Sequence, residues 1–139
     1  MFVSIFVLVM AVSAHAQTVD ELTRRYGLPD DNGHYTVRPG VSMTVSMKEG
    51  MRVREMVIES SVALEIPAKA LDDVLDEVIE ELAPKVLRGR RISDMTFWSS
   101  CNSMGHADYE DVEIGQSTGC EVVSGKSVVR HKAVIRWKQ

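Results

Sequence analysis

The run Cys101-Asn102-Ser103-Met104-Gly105-His106-Ala107-Asp108 gathers a thiol, an imidazole and a carboxylate in one short stretch. A thiolate is a strong nucleophile when an imidazole takes its proton and a carboxylate orients that imidazole. On this reading Cys101 attacks, His106 is the base and Asp108 holds it. The same His106 and Asp108, joined by Asp111 or Asp94, also supply the donor types that zinc and calcium take. Two arguments oppose both readings. A single loop seldom holds nucleophile and base rigidly, because such groups usually meet across a fold. The spacing also matches no HExxH, paired CxxC or EF-hand pattern. There is no GxSxG, no phosphate-binding glycine loop and no dinucleotide fingerprint either. The residues therefore assign no cofactor and no metal site, and the catalytic candidates stay at Cys101, His106 and Asp108.

A second set is basic. Arg130, Lys132, Arg136 and Lys138 share one face of the last strand, opposite Val129, His131, Ala133, Ile135 and Trp137. Such a stripe can meet an anionic surface such as lipid headgroups or polysaccharide. It can equally protect an edge strand, since charge discourages pairing with another chain. The second reading is the commoner use. His131, on the apolar face, reads as a core histidine rather than a ligand. The net charge of −4 and the few aromatics, which do not alternate with the basic residues, exclude a nucleic-acid platform.

The elements that position these residues follow from periodicity. In the stretch PAKALDDVLDEVIEEL, Ala68, Leu71, Val74, Leu75, Val78, Ile79 and Leu82 fall at i, i+3, i+4 spacing, which predicts an amphipathic helix over 67–82. Asp72, Asp73, Asp76, Glu77, Glu80 and Glu81 line its other face and read as a solvated surface. Pro84 lacks the amide that would continue the helix, and Gly89 is placed to cap a last turn. Thr18 with Glu21 makes a capping box, predicting a short helix over 19–26. Alternation from Tyr35 to Met47 predicts one strand, bent or bulged at Pro39-Gly40. Met51 to Ile58 returns as its hairpin partner. Residues 92–99, 109–116 and the run ending at Trp137 complete the strands, and 101–108 reads as a loop. The expected fold class is α+β: a single antiparallel sheet of about five strands, one long amphipathic helix packed on one face, and a short N-terminal helix.

The chain opens on an apolar run, residues 2–12, followed by Ala14-His15-Ala16. That order resembles a secretory signal with small residues at −3 and −1, although no basic residue precedes the run. The run is too short to span a bilayer. The expectation is a signal peptide at 1–16 and a single globular domain at 17–139, secreted or periplasmic, with an N-terminal Gln17 that cyclises readily. In an oxidising compartment Cys101 and Cys120 are expected to pair as a disulfide. That bond conflicts with a full-length hairpin of 92–99 and 109–116, which would place the two cysteines at opposite ends of the sheet.

These readings point to a small exported, non-catalytic binding or interaction module of unidentified ligand, able to take a protein partner at a sheet edge. The alternative is a thiol- or metal-dependent enzyme built on the 101–111 loop. No nucleic-acid partner and no membrane span are expected.

Overall fold

The computed structural model describes residues 17–60, 68–100 and 102–138. The candidate signal at 1–16 and the candidate nucleophile Cys101 lie outside these residues.

The alternation after Tyr35 resolves into two strands. Proline pre-sets the first corner of a turn and glycine supplies the second, and Gly40 has φ +73°. The chain therefore reverses at Pro39-Gly40, and the irregularity in the ladder lies in the strand before it, between Thr36 and Arg38. Strand β1 (Tyr35–Arg38) pairs antiparallel with β2 (Val41–Lys48), and β2 with β3 (Arg52–Ser60). Helix α1 (Val19–Tyr26) precedes them, held by the Thr18–Glu21 capping box. Helix α2 (Ala68–Leu82) follows them, and a 3-10 turn at Lys85–Leu87 succeeds Pro84. Strands β4 (Arg91–Ser99), β5 (Asn102–Tyr109), β6 (Val112–Val123) and β7 (Lys126–Trp137) then form a meander of tight hairpins. At the β6–β7 turn Ser124 and Gly125 have φ of +51° and +76°. Two successive positive values match the twist of the flanking strands.

The sheet order is β1-β2-β3-β7-β6-β5-β4. After β3 the chain crosses over by way of α2 to the far edge at β4, then meanders back until β7 pairs with β3. The expected five-stranded sheet under one long helix is thus corrected to a seven-stranded antiparallel sheet with two short helices. Two misreadings account for the difference: the β1–β2 reversal and the 101–108 segment, which is strand β5 and not a loop. Ser103, Gly105 and Ala107 alternate with Met104, His106 and Asp108, so neither face of β5 is clearly apolar. This strand is held by ladders on both sides rather than by burial, which is why its composition hides it. The last strand is likewise corrected from edge to centre, since β7 lies between β3 and β6.

The core lies between the helices and one face of this sheet. Leu71, Leu75, Val78, Ile79 and Leu82 of α2 and Leu22 of α1 are buried with Met43, Met56, Ile58, Val112, Ile114, Ala133, Ile135 and Trp137. Glu81 ties three elements together. It accepts hydrogen bonds from the Tyr26 hydroxyl at 2.5 Å and from Arg38 Nη2 at 2.6 Å, joining α2 to α1 and β1. Glu80 of the same helix pairs with Arg88 at 2.9 Å, and Arg88 also donates from Nε to the Ala83 carbonyl, closing the end of α2.

Candidate interaction surface

The helices cover the β1–β3, β7 side of the sheet. On the other side β4 is exposed along its whole length. Its large apolar residues stand in solvent: Trp98 is 79% exposed, Met95 64% and Phe97 60%, with Ile92 and Met104 similar. Register assigns the faces. Trp98 pairs with Ser103, Thr96 with Gly105 and Asp94 with Ala107. Through β5 and β6 these lead to Thr118, Gln116 and Ile114, and so to the helix-side face. Met95 pairs with His106 and Phe97 with Met104, which puts these four on the open face.

β4 is an edge that lacks the usual protection. Between Ile92 and Ser99 it carries no lysine, arginine or proline. Its first charge pair, Arg91 with Asp94 at 2.7 Å, is neutralised within the strand. Native edges are normally blunted by charge, proline, brevity or a covering element. The opposite edge obeys that rule: β1 is four residues long, buries Tyr35 and Val37, and stops at Pro39.

The residues singled out from the sequence are placed as follows. His106 and Asp108 lie two apart on the open face of β5, and Asp108 accepts from the Lys138 ammonium. Asp94 lies on the opposite face, so the strand pleat separates it from His106. Asp111 sits in the β5–β6 connection, where its backbone bonds Arg88 and Lys138. Among the described residues no three His, Cys, Asp or Glu side chains converge as a metal site would require. The basic stripe is paired throughout. Arg130 meets Glu121 at 2.5 Å, Lys132 meets Glu59 at 3.6 Å, Arg136 meets Glu55 and Glu113 at 2.7 and 3.3 Å, and Lys138 meets Asp108. Hydrogen bonding to Glu55, foremost, raises the Arg136 guanidinium above its ordinary value. These cations form ladders across the open face with carboxylates of β3, β5 and β6, leaving little net field to attract an anionic surface.

Beside α2, on the helix-side face, runs a groove of about 580 Å³, floored by Gly105, Ala107 and Ile114 and walled by Asp76, Glu80 and Arg88. Its wall charges are engaged with neighbours. Gln116 donates to Asp76 at 2.9 Å, and Arg88 is held by Glu80 and stacked on Tyr109. The groove adds to the bare surface around β4 but offers no convergent unpaired charge.

The sequence marks residues 92–99 only as a strand and does not single out Met95, Phe97 and Trp98. The signal that could have marked them is the apolar character on both faces of that strand. No family model, no curated protein and no solved structure matches this chain.

Proposed function

We propose that this is an exported interaction module that engages a partner polypeptide by strand addition along β4. One observation carries the reading: a nine-residue edge strand, unpaired on one side among the described residues and free of lysine and proline, that displays Met95, Phe97 and Trp98 to solvent. In strand addition the backbone ladder supplies affinity, and side chains on the two faces supply selectivity. Here the open face offers Met95 and Phe97, and the helix-side face offers Trp98, with Asp94 and Thr96 lining the groove. Large exposed apolar patches on soluble domains mark interaction sites more often than accidents of composition. Export is supported by the signal-like residues 2–16. Among the described residues no helix is long and apolar enough to cross a membrane.

The test places a photo-crosslinking side chain at Phe97 in the expressed protein, with the same group at exposed Glu49 as the comparison. A discrete adduct from position 97 and none from position 49 is expected. Equal labelling at both positions, or none at 97, would overturn the reading.

A further inference from the structure

We infer that the strand that adds to β4 is β4 of a second copy, with a twofold axis passing through the Thr96 pair. This inference rests on the strand-addition reading above and specifies its partner.

The hairpin geometry of β4 sets which of its backbone groups face outward. Ser99 and Asn102 close the β4–β5 hairpin across two residues. A two-residue turn closes on a pair whose N–H and C=O groups bond to each other, and in an antiparallel ladder such pairs recur at every second residue. Phe97, Met95 and Ser93 therefore turn their groups inward, to Met104, His106 and Asp108. Trp98, Thr96 and Asp94 turn theirs out, to the free edge. The three are spaced symmetrically about Thr96. Antiparallel pairing centred there matches Thr96 with its own copy and Asp94 with Trp98 on both sides. Every outward group is used, in about six backbone hydrogen bonds.

Neighbouring registers do worse. Centring on Met95 moves Trp98 opposite Ile92, where the β4 ladder is irregular. Centring on Asp94 sets two carboxylates face to face, which is unfavourable for a cross-strand pair. Centring on Phe97 leaves the Asp94 groups without a partner. The favoured register also suits the side chains. On the open face Met95 of each copy lies opposite Phe97 of the other, so two sulfur–aromatic contacts form beside the axis. Met104 stands behind each Phe97 in the same row. No charge is buried in this cluster. A strand-to-strand contact of this extent is small, so the association should be concentration-dependent, with a dissociation constant on the order of micromolar.

The experiment uses the full chain as it is produced. Sedimentation across a wide concentration range should show a monomer–dimer equilibrium, weakened about tenfold or more by Phe97→Lys without loss of folding. Thr96→Cys should yield a covalent dimer under mild oxidation, with the 96–96 link identified by peptide mass spectrometry. Ser93→Cys, far from its own copy in this register, should not. A dimer that lacks the 96–96 link or ignores Phe97→Lys overturns the inference. Hydrogen exchange of the Asp94, Thr96 and Trp98 amides separates the two levels of the argument. Fast exchange in a protein monomeric at every concentration overturns self-pairing but leaves strand addition by a different chain standing. Slow exchange in such a monomer means the edge is already occupied, and overturns both readings.

Discussion

Glu81 shows how much a single carboxylate can join in this chain. Burial works to raise its pKa, but hydrogen bonds from Arg38 and Tyr26 outweigh burial, so the carboxyl sits below its usual 4.5. A carboxyl depressed in the fold stabilises it fully above the unfolded value and loses that contribution as pH falls. Stability should therefore decline from about pH 4.5 downward, and Glu81→Gln should flatten that decline in thermal unfolding measured between pH 7 and 3. The partner moves the other way. Burial and then the bond to Glu81 push the Tyr26 hydroxyl up to about 12. Its contribution is complete below pH 10, the ordinary tyrosine value, and is lost as pH rises toward 12. Spectroscopic titration of the phenolate checks this, with Tyr26→Phe as the reference. His131 is the other buried node. It is 2% exposed, its Nδ1 lies 2.7 Å from Asp72, and its Nε2 has no hydrogen-bond partner among the described residues. The backbone amide of the same residue donates to Ser60 Oγ.

At the scale of elements, the stripe of α2 predicted from spacing alone holds Leu75 and Ile79, which are 3% and 4% exposed. Either residue changed to Ala should cost about 2–5 kcal/mol in chemical denaturation, from lost burial plus the cavity left behind. Gly89, just past the 3-10 turn, is constrained twice over. Its φ is +74°, and a Cβ there would meet Asp111 Oδ2 and Glu110 Cβ at 2.8 Å. Gly89→Ala should therefore destabilise by more than the roughly 1 kcal/mol of conformational strain alone. The hairpins also bear on the cysteines. The partner of β4 is β5 and not residues 109–116, so the premise that set the disulfide against a hairpin falls away. Ser103 pairs with Thr118 and Gly105 with Gln116. Paired numbers in an antiparallel ladder have a constant sum, and two steps beyond Ser103 and Thr118 the count reaches 101 and 120. We propose the Cys101–Cys120 bond on this register, although Cys101 itself lies outside the described residues. Non-reducing peptide mapping should recover the linked pair, and two free thiols would refute it.

For the whole molecule, the consequential feature is that seven strands are made but helices cover only part of the sheet. The covered part resembles an ordinary α+β core. In the remainder β4 stands in solvent, while β5 and the far ends of β6 and β7 are half-buried to exposed. The open face of the sheet, opposite the helices, is laced with ion pairs such as Glu55–Arg136–Glu113, which are partly exposed and contribute little individually. Arg136→Ala should accordingly change stability by less than about 1 kcal/mol. Because the stripe is neutralised by its neighbours, the protein should not be retained on anionic vesicles at physiological salt. Salt-sensitive retention would restore the basic stripe as a binding surface.

Features that depend on near neighbours in the chain were legible beforehand. The Thr18 capping box, the α2 stripe, the stop at Pro84 and the apolar face of β7 all follow from spacings of a few residues, where backbone geometry alone decides which side chains align. Even there Pro39-Gly40 was ambiguous, because proline then glycine suits a bulge as well as a reversal. What the tertiary structure decided was pairing. β5 carries no apolar periodicity, so only its ladders with β4 and β6 reveal it as a strand. The carboxylates opposite Lys132, Arg136 and Lys138 come from distant segments, and that of Arg130 from across the β6–β7 hairpin; without them the stripe reads as a charged surface or a guarded edge. The chain order of β7 likewise gives no hint that it ends at the centre of the sheet. The edge falls instead to β4, because the crossover at α2 carries the chain to the far side before the meander returns. Whether an apolar strand becomes a core or an interface depends on what lies over it, and that is set by contacts between residues far apart in sequence.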